Sequence, residues 1–210
     1  QGLTNTTRPL LLKTIILIKK RNQAMAEVHA VKNLDTLKLI THLLSIRYSQ
    51  QMADVWDVGL NLALRISDLL SIKFDQIVDD RLVLREAKTG KLASIVLNQK
   101  VQRKISSIRT KYPSHTFLFQ SYRNAQAKNR EPRPLTRRAV SKAFEEVGQE
   151  LKMSLGTHSM RKTRGYHLYK NTNDIARVMK MLRHSSEGMT LRYIGITQDD
   201  IDKDFEELVL

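Results

Sequence analysis

The hydrophobic pattern of this chain changes its period between Asp79 and Asn98. The stretch DDRLVLREAKTGKLASIVLN contains two runs of β-forming residues, Arg81 to Arg85 and Ala93 to Leu97, joined across KTGK, where Gly90 supplies the turn. This pattern predicts a β-hairpin or the core of a small antiparallel sheet. Because the flanking sequence has helical spacing, the predicted fold class is α+β, mainly helical, with the small sheet at one edge.

Apolar residues at helical spacing predict helices on both sides of the hairpin. Before it, one helix starts near Asn33, and MADVWDVGLNLALRISDLLSI predicts a helix or two short ones split near Arg65. After it, KVQRKISSIR predicts a helix and HTFLF a short strand or extended piece. Thr136 begins an amphipathic helix, and further helices are expected over about 157–170, 173–182 and 190–193.

Three parts of the chain are distinguished by composition. Residues 1–32 are predicted to be a linker or interaction arm, residues 33–198 one folded domain, and residues 199–210 an acidic tail of opposite charge to the rest. The tail has two interpretations. It is either a solvated terminal helix, or an arm whose apolar face, formed by Ile201, Phe205 and Leu208, docks in trans on a basic neighbouring protomer.

The charge balance points to a polyanionic partner. Lys and Arg number 36 against 21 Asp and Glu, so the formal net charge is +15, and nucleic acid is the leading candidate partner. A ribosomal-type or merely soluble basic protein is the alternative. The absence of cysteine excludes disulfides, cysteine zinc sites and thiol nucleophiles. The longest apolar run, residues 9–18, is too short to span a bilayer, so we expect a cytoplasmic protein.

The positions of Arg65 and Lys88 each allow a structural and a functional interpretation. Arg65 lies in the apolar stretch LNLALRISDLL, where it either caps a helix or pairs with Asp68, or points into a cleft and binds phosphate. Lys88 lies at the tip of the predicted hairpin. Lysines at turn tips are normally solvated, but this one could also reach a phosphate or a leaving oxygen, and Lys91 is its nearby competitor.

Two histidines and a tyrosine follow in the last third of the chain. His158 and Arg161 are three residues apart on one helix face, and Thr157 could cap that helix, whose free N–H groups favour a phosphate. His184 and Tyr193 are individually typical of packing residues. Taken together with Arg65 and Lys88, however, the set is unlikely to be accidental.

In its order of residues, this set resembles the catalytic domain of the tyrosine recombinase family, the phage-integrase type of site-specific DNA recombinase. The resemblance covers roughly Asn33 to Tyr193 and rests on ALRISDLL, AKTGK, HSMRKT, LRHSS and RYIGI. It implies that residues 33–198 form the catalytic domain. It also implies six catalytic residues and one supporting acid: Arg65, Lys88, His158, Arg161, His184 and Tyr193, with Asp68 in support.

Three positions depart from the family pattern. Leu62 and Ala63 stand where the family usually has Thr-Gly, and Arg183 replaces the glycine of the usual LGH. Those glycines serve backbone packing more than chemistry, so we expect activity. Many relatives also carry a helical core-binding domain, which 32 residues cannot supply; the chain is therefore either a fragment or resembles short relatives such as the fimbrial-switch invertases.

The resemblance implies strand cleavage without a metal or another cofactor. Tyr193 would attack phosphorus and form a 3′-phosphotyrosyl link, with His158 as base and Lys88 as the acid for the 5′-oxygen. The two arginines and His184 would stabilise the transition state. The implied partners are double-stranded DNA at a specific recombination site, a homotetramer on that DNA, and possible accessory DNA-bending proteins, in the nucleoid-associated cytoplasm of a prokaryote or phage host.

Five further cations are predicted to contact the DNA backbone: Lys91, Arg137, Arg138, Lys162 and Arg164. Two rival functions remain open. One is a non-catalytic basic DNA-binding module in which Tyr193 is a packing residue. The other is a metal-dependent nuclease using His158 and His184, although the sequence lacks a tight carboxylate cluster of the kind that hard cations prefer.

Overall fold

A computed structural model describes residues 28–122, 131–207 and 209 of the chain. The predicted helical stretch over residues 10–25, residues 123–130 of the basic loop, and Leu208 lie outside the described residues. In chain order the elements are α1 (Leu34–Arg47), α2 (Gln50–Leu62), α3 (Ile66–Leu70), a 3₁₀ turn (Phe74–Gln76), β1 (Ile77–Val78), β2 (Arg81–Arg85), β3 (Leu92–Val96), α4 (Gln99–Lys111), α5 (Arg137–Glu150), α6 (Ser159–Thr172), α7 (Ile175–Leu182), α8 (Glu187–Ile194) and α9 (Gln198–Glu207).

The predicted hairpin is present and belongs to a three-stranded antiparallel sheet. Strands β2 and β3 pair with Arg81 opposite Val96, and the two-residue strand β1, which the sequence did not reveal, pairs with the other edge of β2. Gly90 adopts φ +65° in the turn, a conformation that glycine tolerates best. The mainly helical α+β fold class is therefore confirmed.

Most helix starts agree with the capping signals in the sequence. The side chain of Asn33 accepts the N–H of Thr36 at 2.9 Å, and Thr136 accepts the N–H of Ala139 at 3.2 Å. Helix α6 differs, because it begins at Ser159 with His158 in the cap position and no side-chain cap. The segment HTFLF, predicted as a short strand or extended piece, instead turns at Leu118 and Phe119, and only Phe117 forms an isolated bridge, with Lys73.

Two apolar clusters hold the helices together. The larger is centred on Trp56 of α2 and Phe144 of α5, both fully buried, whose rings meet edge to face with centroids 5.2 Å apart. The smaller contains Val178, Leu182 and Ile194 and lies beneath α7 and α8. These helices can lie close to α6 because of Gly165, where a Cβ would meet the Ile194 side chain at 2.6 Å.

The N-terminal segment of the described chain contacts both helix α6 and the C-terminal helix α9. The N–H of Val31 donates to Thr163 Oγ1 of α6 at 2.8 Å, and Lys32 forms an ion pair with Asp200 of α9 at 3.3 Å. Helix α9 carries Phe205, which is 82% exposed. Within the described residues, no helix has the length and apolar character needed to cross a membrane.

Candidate active site

The structure brings all six predicted catalytic residues to one cleft of about 330 Å³. Arg65 comes from the break between α2 and α3, Lys88 from the hairpin tip, and the other four from α6 to α8 and their connections. Residues separated by more than a hundred positions in sequence thus face one another. The lining residues are Arg65, Lys88, His158, Arg161, Arg183, His184, Ser185, Ser186, Met189 and Tyr193.

Arg65 reaches the cleft because the helix before it ends abruptly. Ala63 terminates α2 in the left-handed conformation, with φ 52°, at the position where the family pattern has glycine. Arg65 itself is extended and makes no side-chain cap. The structure therefore excludes both local alternatives for Arg65, helix capping and pairing with Asp68, because its guanidinium pairs with Glu86 at 3.2 Å.

Glu86 is a site residue that the sequence pattern did not reveal. Its side chain is fully buried, and its carboxylate pairs with Arg65 and with Arg183 while accepting the Thr89 hydroxyl at 2.8 Å. The alternation of the strand could have revealed it, because Glu86 continues the series Leu82 and Leu84 on the inward face of the hairpin. A carboxylate continuing a buried apolar face indicates a buried ion pair.

Asp68 contacts the hairpin. Its side chain is buried and accepts the N–H of Ala87 at 2.9 Å, next to Lys88. Together with the Glu86 to Arg65 pair, this bond ties the lysine-bearing turn to the start of α3. Lys88 itself is exposed at the mouth of the cleft, where its ammonium can reach a bound strand.

Arg161 holds together the two chain turns on which the cleft is built. Its side chain is 3% exposed, and its two terminal nitrogens donate to the carbonyls of Ala63, at 2.6 Å, and Leu182. These carbonyls flank the break after α2 and the end of α7. A planar guanidinium has five N–H groups, so Arg161 keeps donors for an anion in the cleft.

The phenol of Tyr193 is placed between two histidines. Its oxygen lies 3.2 Å from Nδ1 of His158, and the His184 ring meets the Tyr193 ring edge-on at a centroid distance of 4.9 Å. Burial raises the pKa of Tyr193, while the positive charges of Arg161 and Arg65 act in the opposite direction. The phenol therefore stays protonated near neutral pH and needs a base to become a nucleophile.

Both histidines favour the neutral form. Desolvation is the largest cause that lowers the pKa of His158, and the charges of Arg137 and Arg161 lower it further. Desolvation and Arg161 also lower the pKa of His184. Neutral His158 can accept the phenolic proton at Nδ1.

The hydroxyl of Thr190 sets the tautomer of His184. Thr190 donates to the Ser186 carbonyl at 2.7 Å, so its oxygen accepts from Nδ1 of His184 at 3.2 Å. Nε2 of the neutral ring is then unprotonated. His184 must gain a proton to donate from Nε2 to a phosphate.

The five predicted DNA-contacting cations lie in different environments. Lys91, Arg137 and Arg138 are exposed, and Arg137 lies close enough to the cleft for its charge to act on His158. Arg164 is half-buried. Lys162 is 7% exposed, and its ammonium lies 5.1 Å from the centre of the Tyr193 ring. The structure therefore places Lys162 beneath the nucleophile candidate, away from a surface position typical of backbone contacts.

Protonation of His158 and His184 is expected to destabilise the free protein. Each folded-state pKa lies below the ordinary 6.5, so at pH values below 6.5 the unfolded chain binds more protons than the folded one. The free energy of unfolding should be level above about pH 7 and fall below it, by less than about 1.4 kcal/mol per pH unit for each histidine. Urea denaturation between pH 7.5 and 5.5 measures this slope.

The double variant His158→Asn with His184→Asn should flatten that dependence, leaving the part contributed by His115, whose pKa is also lowered by desolvation. His42→Asn, on an exposed face of α1, is the matched control. An unchanged slope in the double variant would contradict the assignment.

Comparisons with known proteins place the chain in a family. The sequence model of the Phage integrase family matches residues 34–199. The chain is 32% identical over 176 residues to the probable integrase/recombinase YoeC of Bacillus subtilis (strain 168), covering 82% of this chain and 93% of that protein. Among the described residues, no group of three or more His, Cys, Asp or Glu side chains is arranged to hold a metal ion.

Solved structures of lambda integrase share the fold. A dimer of its residues 75–356 bound to a COC′ core site matches with a TM-score of 0.61 at 18% identity, over 83% of this chain. A tetramer bound to a Holliday junction matches with a TM-score of 0.60 at 18% identity, over 81% of this chain. The chain spans 63% and 49% of those two chains, respectively. With a family match across most of its length and a bacterial relative of similar size, the chain belongs to the phage integrase family of tyrosine site-specific recombinases.

Proposed function

We propose that this recombinase cleaves and rejoins double-stranded DNA at a specific site through a 3′-phosphotyrosyl intermediate on Tyr193. The observation that carries the proposal is the 3.2 Å separation between the Tyr193 oxygen and His158 Nδ1, inside a cleft lined by Arg65, Lys88 and Arg161. A nucleophile, a base and phosphate-binding cations are the groups that phosphoryl transfer to a tyrosine requires.

The cleavage step begins with proton transfer from the phenol. Because burial raises the pKa of Tyr193, His158 takes the proton as the phenolic oxygen attacks phosphorus. The bond from oxygen to phosphorus forms, and the bond from phosphorus to the 5′-oxygen breaks. The DNA 3′-end is then attached to Tyr193, and the other strand segment leaves with a 5′-hydroxyl.

Negative charge that builds on the phosphate oxygens is met by fixed cations. Arg65 is held by Glu86 and Arg161 by two backbone carbonyls, so both guanidiniums are oriented before DNA arrives. His184 joins them after taking up a proton, which an anionic phosphate beside it favours. Preorganised donors of this kind need little rearrangement during the reaction.

Lys88 is proposed to protonate the leaving 5′-oxygen from the hairpin tip. Lys88→Met should lower the rate of covalent adduct formation by about 10²- to 10⁴-fold on an ordinary strand. A bridging 5′-phosphorothiolate should restore most of that loss, because a thiolate, with a pKa of about 8.5, leaves without a proton. Gel quantification of the adduct measures both rates, and Lys91→Met is the matched control at the same turn. Equal losses on the two substrates would exclude Lys88 as the acid.

The covalent link retains the phosphodiester energy, so the 5′-hydroxyl of another strand can reverse the step without ATP. Repeated exchange between two duplexes passes through a Holliday junction and needs four active sites. The homotetramer proposed here is supported by the fold shared with lambda integrase, which has been seen as a tetramer on such a junction. Accessory DNA-bending proteins and a nucleoid-associated prokaryotic cytoplasm complete the proposed setting.

The acidic tail is proposed to link neighbouring protomers. Helix α9 carries acidic residues and the exposed Phe205 on a chain with a net charge of +15, which suits a basic partner surface on a second copy. Deleting the residues after Thr197 should abolish tetramer assembly on DNA and leave the melting temperature of the monomer within about 5 °C. Analytical ultracentrifugation with and without DNA measures assembly. A tetramer that persists after truncation would refute this role.

A trapping experiment with a randomised DNA library tests the proposed function and identifies the DNA site at the same time. Duplexes with a randomised core and a nick near its centre are incubated with the protein, and SDS-resistant protein–DNA complexes are captured and sequenced. Loss of the short 5′-hydroxyl fragment at the nick prevents religation, so covalent complexes accumulate. We expect adducts on one enriched sequence, unchanged in EDTA. No adduct would favour the non-catalytic binding module, and free nicked products that EDTA suppresses would favour the metal-dependent nuclease.

A further inference from the structure

We propose that Arg183 is a third arginine of the catalytic cleft, which contacts the scissile phosphodiester alongside Arg65 and Arg161. This inference rests on the proposed function, because it assigns a role in strand cleavage to a residue that stands where the family pattern has glycine. Three features of the described residues around the cleft support it: the conformation of Arg183, its partner, and the balance of charge.

Arg183 lines the cleft from a backbone conformation that is unusual for a residue other than glycine. The residue ends α7 in the left-handed conformation, with φ 54°, and immediately precedes His184. Left-handed backbone favours glycine and disfavours a side chain with a Cβ. A long cation at this position therefore needs a compensating contact.

Glu86 supplies that contact but does not satisfy the charge. One oxygen of this buried carboxylate pairs with Arg183, and the other pairs with Arg65 and accepts from Thr89. A single carboxylate thus faces two guanidiniums. The side chain of Arg183 is 28% exposed, and the residue lines the cleft, so an anion bound there can reach it.

The cleft carries an excess of positive charge to which Arg183 contributes. Among the described lining residues, four are permanent cations, namely Arg65, Lys88, Arg161 and Arg183. The buried carboxylates nearby are Glu86 and Asp68, and lowered pKa values keep His158 and His184 neutral in the free protein. Arg183 therefore adds to an excess of positive charge over these two carboxylates, and that excess lies where negative charge builds on the phosphate oxygens.

A substrate with a neutral phosphate separates a phosphate contact from a structural role. In a methylphosphonate, a methyl group replaces one nonbridging oxygen, so an arginine that neutralises charge has less to contribute. Adduct formation is measured on nicked duplexes of the trapped sequence that carry either a phosphodiester or a methylphosphonate at the scissile position. Arg183→Gly restores the family residue, Arg183→Lys keeps the charge without the planar fork, and Arg47→Gly removes one exposed arginine elsewhere.

Relative to wild type, Arg183→Gly is expected to slow adduct formation by about 10-fold or more on the phosphodiester and by less than about 3-fold on the methylphosphonate. Arg183→Lys should fall between glycine and wild type on the phosphodiester, and Arg47→Gly should show no difference between substrates. The ratio of the two rates in one variant is independent of its folded fraction, so lowered stability does not obscure the result.

Equal losses on both substrates, or no loss on either, would overturn the role of Arg183 while leaving the proposed function intact. Failure of the wild-type protein to form any adduct on the phosphodiester would instead overturn the proposed function, and this inference with it.

Discussion

Tyr193→Phe is expected to abolish the covalent protein–DNA adduct while leaving DNA affinity within about 3-fold of wild type. The substitution removes only the phenolic oxygen, which is the proposed nucleophile and lies 3.2 Å from His158. The cations that hold the backbone phosphates remain, and these dominate affinity. Adducts are quantified on denaturing gels with the trapped duplex, and affinity by fluorescence anisotropy at one fixed salt concentration.

Tyr166→Phe provides the matched control for this variant. Tyr166 lies on α6, packs against the smaller apolar cluster as Tyr193 does, and does not line the cleft. Its substitution should leave the adduct yield unchanged. If Tyr193→Phe still formed an adduct of wild-type yield, the nucleophile would have to be another residue, and the proposed mechanism would be wrong.

Local signals predicted the framework of the molecule. The change in hydrophobic period around Gly90 predicted the hairpin, and the apolar spacing with Asn33 and Thr136 as start signals predicted helices that the structure confirms. The break near Arg65 was also anticipated. These features depend on residues within one or two turns of each other, so the sequence carries them directly.

The partners of the charged side chains were not predictable in the same way. Arg65 had a plausible local partner in Asp68, three residues away, yet the fold pairs it with Glu86 on the hairpin. Arg183, which the sequence showed only as a replacement for glycine, meets the same carboxylate. Lys162 was predicted to contact the DNA backbone at the surface, but its ammonium lies against the Tyr193 ring. The partner of each of these side chains depends on which helices and strands pack together, and residue spacing along one helix does not determine that packing.

The two glycine positions of the family pattern explain how the cleft is assembled. Ala63 and Arg183 both adopt left-handed backbone, and each turn presents a carbonyl, from Ala63 itself and from Leu182, to the guanidinium of Arg161. Arg161, which is proposed to bind phosphate, thus also joins the turn next to Arg65 to the turn next to His184. A substitution that changes the guanidinium of Arg161 should therefore lower both the stability of the protein and its catalytic rate.

Arg161→Lys tests that coupling, because lysine keeps the charge but cannot span two carbonyls and a phosphate with one ammonium. We expect the free energy of unfolding to fall by about 1–3 kcal/mol, since a buried carbonyl is left without its donor. Adduct formation should fall by about 10²- to 10³-fold, as expected for the loss of a preorganised donor. Urea denaturation and the trapped-duplex assay measure the two effects. Arg164→Lys, one turn further along α6 and half-buried, is the matched control, and an Arg161→Lys variant that lost activity at wild-type stability would show that the two carbonyl contacts do not hold the cleft together.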